Sequence, residues 1–262
     1  YEHGYGCKKD HKLAIKLYTL AASKEHADAQ FKLGNIYFQA IYGTREVKLG
    51  IEWYQKADKN GHADARCTLG MVYISGLDIY LPKDIKKGFK LLIDAANHGS
   101  SHAQYELSLQ YYNGCSQNGS LFGKIEMNEK KANRLRKKAF EWSKKAAENG
   151  IPPAQSNLSN MYYAGSGVDQ DYGKALFWAK ESYKNDCISA AFHLGKMYFD
   201  GCGLEQDYSE AFRLLTKAKD GDNKNASDNA SFYLARMYLD GLGVDEDYNE
   251  AFRLLVQAKK GD

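Results

Sequence analysis

An all-α solenoid of antiparallel two-helix repeats is the fold class this sequence predicts, and three observations carry the prediction. One nine-residue segment recurs six times along the 262 residues. A second segment with helical spacing follows each copy. Glycines and aspartates sit at fixed places between the two. Repeats at this period are the signature of stacked helical hairpins.

The first segment is Ala154-Gln155-Ser156-Asn157-Leu158-Ser159-Asn160-Met161-Tyr162, and its copies begin at Ala29, Ala65, Ala103, Ala190 and Ala230. The offsets are 36, 38, 51, 36 and 40 residues. The fifth residue is Leu in all six copies (Leu33, Leu69, Leu107, Leu158, Leu194, Leu234). The ninth is Tyr in all six (Tyr37, Tyr73, Tyr111, Tyr162, Tyr198, Tyr238). Positions 1, 5, 8, 9 and 12 are apolar or small, a helical spacing. This is helix A. The Tyr and Trp columns are expected in the core, where Tyr198→Ala would cost ~3–5 kcal/mol.

The second segment, helix B, runs from Lys174 to Lys180 and carries Trp178. Its counterparts centre on Trp53, Leu91, Trp142, Leu214 and Leu254, with an extra copy headed by Leu17. Four residues on, the chain usually has Ala: Ala21, Ala57, Ala95, Ala146, Ala218 and Ala258. Ala14, Leu17 and Ala21 show the i, i+3, i+7 stripe.

The punctuation agrees. Gly165-Ser166-Gly167, Gly201-Cys202-Gly203 and Gly241-Leu242-Gly243 follow helix A, where Gly permits the left-handed backbone that ends a helix. Asp10, Asp84, Asp171, Asp207 and Asp247 precede helix B as N-caps. Leu135 takes that place in the repeat with the 51-residue spacing, so its helix B is expected to begin earlier, near Asn128.

One hairpin cannot bury both faces of its helices, so stability is shared between stacked neighbours. The expected division is a single array over 1–262. A trailing half repeat fills 1–26. Repeats follow at 27–62, 63–100, 101–150 (with an insertion near 114–128), 151–186, 187–225 and 226–262. Residues 1–6 read as the end of a lost helix A, and a longer solenoid or capping helices are expected around this piece.

These residues resemble the Sel-1-like repeat family, relatives of tetratricopeptide repeats. That family reads Ala-x-x-x-Leu-Gly-x-x-Tyr-x-x-Gly-x-Gly-Val-x-x-Asp, then Lys-Ala-x-x-Trp-Tyr-x-Lys-Ala-Ala-x-x-Gly. Leu194-Gly195 with Tyr198, Gly201 and Gly203 match it, as do Asp171, Lys174-Ala175 and Trp178. The resemblance covers essentially the whole chain. It implies a right-handed superhelix acting as an adaptor, in roles from membrane-protein degradation and chitin-synthase activation to polysaccharide export and bacterial entry into host cells. One family branch carries periodic disulfides. This chain departs from it, since only Cys67 and Cys187 lie in or just before helix A.

Composition bounds the remaining classes. The chain is 44% hydrophobic and 26% charged, as globular proteins are, and its net charge of +3 is too small to point to nucleic acid. The five cysteines contain no Cys-x-x-Cys, which favours free thiols in a reducing compartment, cytoplasm or host cytosol. No apolar run approaches a membrane span, so membrane contact is not expected.

Chemistry-bearing motifs are missing where they would tempt. The Gly-x-Gly turns follow a helix rather than a strand and lack a third Gly, so they do not bind nucleotides. His26 and His62 lie one repeat apart, and equivalent residues of packed helices sit about 10 Å apart. A shared metal needs them far closer. Both are expected in turns. The Asn-x-Ser sequences at Asn118, Asn157, Asn225 and Asn229 read as accidental. No catalytic, cofactor or metal residues are assigned.

At about 100° per residue, core positions of helix A cluster near 20°, and positions 4, 7 and 11 fall at roughly 300°, 240° and 280°. That second stripe varies between repeats. It holds Lys32, Asn35, Met71, Glu106, Leu109, Asn160, His193, Lys196, Asp200, Tyr233, Arg236 and Asp240. Read as the floor of a concave helix-A surface, it suits a protein or peptide partner. Read otherwise, it is ordinary solvated helix. The insertion, with Leu121 and Phe122 at its centre, is either a docking loop or a tolerated surface insertion. The basic run from Lys130 to Lys138 reads as a solvated face, or as a meeting point for an acidic partner or an anionic membrane.

The function expected is a non-catalytic interaction scaffold or regulatory adaptor. The Asn-, Lys- and Tyr-rich composition fits a bacterial factor acting on a host or partner protein. The alternative is the targeting or regulatory arm of a longer enzyme, which a catalytic motif elsewhere in the reading frame would reveal.

Overall fold

A computed structural model describes residues 10–41, 46–77, 80–113 and 129–259. Thirteen α-helices fill them. Helix α1 (His11–Ala22) is a lone helix B. The A–B pairs are α2 (Ala27–Gln39) with α3 (Val47–Lys59) and α4 (Ala63–Ser75) with α5 (Ile85–Asn97). Next come α6 (Ser101–Asn113) with α7 (Glu129–Glu148) and α8 (Pro152–Ala164) with α9 (Tyr172–Lys184). The last are α10 (Ile188–Asp200) with α11 (Tyr208–Lys219) and α12 (Lys224–Asp240) with α13 (Tyr248–Lys259). The chain forms two compact units, Tyr1–Leu107 and Ser108–Asp262. Residues 1–9 and 114–128 lie outside the described set, and with them the trailing helix-A remnant, Leu121 and Phe122.

The caps set the boundaries. Asp10, Asp84, Asp171 and Asp207 each accept the backbone N–H three residues on, all at 2.9 Å. Asp247 accepts from the backbone N–H two residues on, Asn249, as well as from the one three residues on, Glu250. The backbone N–H of the capping residue, in turn, donates to the carbonyl of the repeat tyrosine. Asp84 reaches Tyr73 at 2.8 Å, Asp171 reaches Tyr162 at 3.0 Å and Asp207 reaches Tyr198 at 3.1 Å. Helix α7 begins at Glu129 and passes Leu135 in its interior. A second repeat also departs from the Asp rule. Glu46 caps α3 with no side-chain bond.

The paired glycines do two jobs. Gly165, Gly201 and Gly241 close helices A with φ of +65°, +67° and +63°. The second glycine is a contact with the preceding helix B. A Cβ on Gly203 would stand 2.7 Å from the Tyr172 carbonyl oxygen, and one on Gly167 would strike that of Arg136.

The Leu column is the core. All six are buried, none more than 4% exposed. The glycine after Leu lets the two helices of a pair meet. A Cβ on Gly195 would lie 2.8 Å from Leu215, and one on Gly34 would strike the ring of Tyr54. Ser159 replaces that glycine in α8 and turns its hydroxyl to the Ala175 carbonyl at 2.7 Å. The aromatic columns depart from the core expectation. Only Tyr111 and Tyr162 are buried, while Tyr37, Tyr73, Tyr198, Tyr238 and all three tryptophans are half-buried. Their rings rim the helix pairs and meet lysines, as with Lys87 over Tyr73 and Lys145 over Trp142.

Neighbouring repeats are also stitched by polar side chains at the start of helix A. His62 Nδ1 accepts from Ala65 N, and its Nε2 lies 3.4 Å from Asp28 in the preceding helix A. Ser100 accepts from Ala103 N and donates to Asp64. Asn223 accepts from Ala226 N and donates to Ser189. One residue thus caps its own helix and ties it to the previous repeat. His26 caps α2 in the same way through Ala29 N, so both histidines hold turns.

Candidate protein-binding face

Helix A carries the stripe at positions 4, 7 and 11, and exposure rises along it. Position 7 is half-buried in every copy except Arg236, and position 11 is exposed in every copy.

In the first unit the predicted residues are partly absorbed by the fold. Lys32 is exposed. Asn35 Oδ1 accepts from the hydroxyl of the buried Tyr54 at 2.8 Å, so it holds the helix pair together. Met71 is half-buried. Glu106 is half-buried, and burial raises its carboxyl above the usual range. His102 Nε2, one turn away, stands 3.9 Å from it. Beside it the Cys67 thiol is pushed up by burial.

In the second unit the predicted residues fall together. Lys196 Nζ lies 4.2 Å above the ring of Tyr163. The Tyr163 hydroxyl donates to Asp200 Oδ2 at 2.6 Å, and burial with that bond raises the phenol well above its ordinary value. Arg236 stacks on Phe199 at 5.1 Å. Tyr233 packs edge-on against Phe199 and Phe192, at 5.3 and 6.0 Å. His193 is pushed down to about 4 by burial, helped by the charge of Lys196, so its imidazole is neutral at physiological pH. Asp240 is exposed at the end of α12.

Upstream in the same unit is a cavity of about 210 Å³. Leu109, Tyr112, Asn157, Asn160 and Met161 line it, with Ser108 and Ser143 among the rest. Leu109 and Asn160 belong to the predicted stripe, and Asn157 occupies its position 4 in α8. Tyr112, Met161 and the two serines lie outside it. Tyr163 and Phe199 were missed as well, although their column was readable. Position 10 of helix A is Phe38, Ile74, Tyr112, Tyr163, Phe199 and Leu239, apolar or aromatic in all six copies.

This arrangement offers stacked cations, carboxamides, aromatic edges and a small apolar recess. Those are the elements of polypeptide recognition. Among the described residues no group of three or more His, Cys, Asp or Glu side chains could hold a metal ion. Cys67, Cys187 and Cys202 are free thiols. No helix among the described residues is long and apolar enough to cross a membrane.

No curated protein matches this chain. Solved structures that share its fold include the following two. One is c5321, a protective antigen present in uropathogenic Escherichia coli strains, 26% identical over 94% of this chain and 48% of its own, with a TM-score of 0.69. The chain thus spans about half of that protein's length. The other is a Sel1 repeat protein from Oxalobacter formigenes, 22% identical over 94% of this chain and 92% of its own, with a TM-score of 0.71. The Sel1 repeat model matches residues 1–26, 27–62, 63–100, 101–151, 152–187, 188–223 and 229–262. With those matches over nearly its whole length and the Leu, Gly and Asp columns in their structural places, the chain belongs to the Sel1 repeat family.

Proposed function

We propose that this chain is a non-catalytic binding scaffold that holds a partner protein against its helix-A face. Sel1 repeat proteins in general mediate protein–protein interaction. One contrast supports the reading most. The Leu column is constant and buried, while position 7, two residues further along the same helices, reads Asn35, Met71, Leu109, Asn160, Lys196 and Arg236. Asn35 is taken up by the fold through Tyr54, but the Asn160 carboxamide has no such bond, and Lys196 and Arg236 present stacked cations that covering the core does not require. Half-burial of polar groups costs solvation, which a bound partner recovers.

The adaptor is read as a bacterial factor acting on a host or partner protein. A protective antigen with 26% identity is compatible with that role.

The test is capture from the native source with the wild-type chain and with a Lys196→Glu/Arg236→Glu variant of equal melting temperature. A charge change at the exposed Arg236 is near neutral for stability by the usual rule, and the equal melting temperature is the control for the half-buried Lys196. A protein held by the wild type and released by the variant supports the reading. Identical capture by both removes the helix-A assignment.

A further inference from the structure

We infer that the helix-A face of the second unit takes an extended, polyproline-II segment bearing one apolar side chain and two carboxylates three residues apart. The inference rests on the helix-A reading above and adds the chemistry of the occupant.

The cations come first. Lys196 and Arg236 occupy the same position in consecutive helices A, α10 and α12, which touch. Neither has a carboxylate at ion-pair distance among the described residues, whereas Arg213 and Arg253 each pair with a glutamate on their own helix. Asp200, one turn from Lys196, is held instead by the Tyr163 hydroxyl. Each cation is parked on an aromatic ring, Tyr163 or Phe199. Stacking limits the side-chain freedom that binding would otherwise have to remove.

Spacing then selects the segment. Packed helices lie about 8–10 Å apart. A polyproline-II segment has three residues per turn and advances about 3.1 Å per residue, so residues i and i+3 share one face about 9.3 Å apart, one helix spacing. Two acidic side chains at i and i+3 therefore meet Lys196 and Arg236 together. A helical segment, rising about 1.5 Å per residue, places i and i+3 only about 4.5 Å apart.

The rest of the face fits the same occupant. The side chains of Asn157 and Asn160 have no hydrogen-bond partner among the described residues, and both residues line the cavity. A carboxamide offers a donor and an acceptor, the match for a peptide group. The cavity of about 210 Å³, with Leu109 and Met161 in its wall, has room for one apolar side chain. Asp200 and Asp240 stand one turn beyond the two cations, so a continuous polyanion would meet like charge there, while two discrete carboxylates would not.

A displayed library of random peptides about twelve residues long, enough to cover some 40 Å of face, provides the probe. Selection on the wild-type chain is expected to enrich acidic pairs at i, i+3 with an apolar residue on one side. Replacing both acids of a selected peptide by their amides is expected to weaken it by about 100-fold, some 2.7 kcal/mol for two contacts. Lys196→Glu/Arg236→Glu is expected to select basic pairs instead, and Leu109→Trp, which fills the cavity, to lose the apolar preference. Peptides enriched without an acidic pair, but lost on Leu109→Trp or Asn160→Ala, overturn the acidic inference and leave the helix-A reading standing. No enrichment, or enrichment indifferent to all three variants, overturns both.

Discussion

The Tyr163 hydroxyl reaches across from α8 to Asp200 of α10 and donates to its Oδ2 at 2.6 Å. That bond keeps Asp200 from Lys196, one turn away on the same helix, and leaves the lysine stacked on the Tyr163 ring. Tyr163→Phe keeps the ring and removes the bond. A loss of about 1 kcal/mol is expected in urea unfolding, less than the ~1.5–3 kcal/mol of a buried bond to a charged group because Asp200 is exposed. The freed Asp200 then competes for Lys196. Unchanged stability together with unchanged partner affinity would show that the bond organises nothing.

The two glycines of the turn differ from the lone glycine of a B–A connection. Gly203 and Gly99 both have positive φ, +80° and +89°. A Cβ on Gly203 meets the Tyr172 carbonyl at 2.7 Å, while one on Gly99 meets nothing within 4 Å. Gly99→Ala is expected to cost about 1 kcal/mol, the penalty of a left-handed L-residue. Gly203→Ala is expected to cost clearly more, since α9 and the α10–α11 turn must also separate. Equal losses in thermal melts would mean the turn is not a contact between repeats.

Leu158 and Tyr198 separate core from rim. Leu158 is fully buried, and truncation to Ala is expected to cost ~2–5 kcal/mol. Tyr198 is half-buried, so Tyr198→Ala is expected to cost less than the ~3–5 kcal/mol of a core aromatic. Denaturant titration of both variants ranks them. A larger loss for Tyr198 would restore the tyrosines to the core.

His193 gives the protein a pH dependence of known sign. Its folded pKa, about 4, lies below the ordinary value of 6.5. The unfolded chain therefore binds the proton first, and stability falls as pH drops from about 6.5 toward 4. The loss is expected to be roughly 1–3 kcal/mol at the lower end. His193→Asn should flatten that part of the profile. A profile unchanged by the substitution would place the titration elsewhere.

Much of this was legible because the repeat supplies its own comparison. The Leu column, the Asp caps and the paired glycines each recur with one residue type, and each has the role its chemistry implies. The tyrosines misled because position 9 lies at the edge of the core arc, about 80° on the helical wheel. There the backbone carbonyl is used in full and the ring only in part. The stitches at the start of helix A were invisible for the opposite reason. His62, Ser100 and Asn223 share one role with three side chains, so no column shows it. The cavity escaped because small residues of three helices make it, among them Ser108, Ser143 and Asn157. Such a space follows from packing and not from spacing along one helix.

The central claim is that a partner lies on the helix-A face. A photo-reactive residue at Asn160, compared with one at the exposed Lys180 of α9, tests it most directly, using the protein captured from the native source. The account predicts a cross-link to that protein from position 160 and none from position 180. A cross-link from 180 with none from 160 would contradict it and move the partner to helix B.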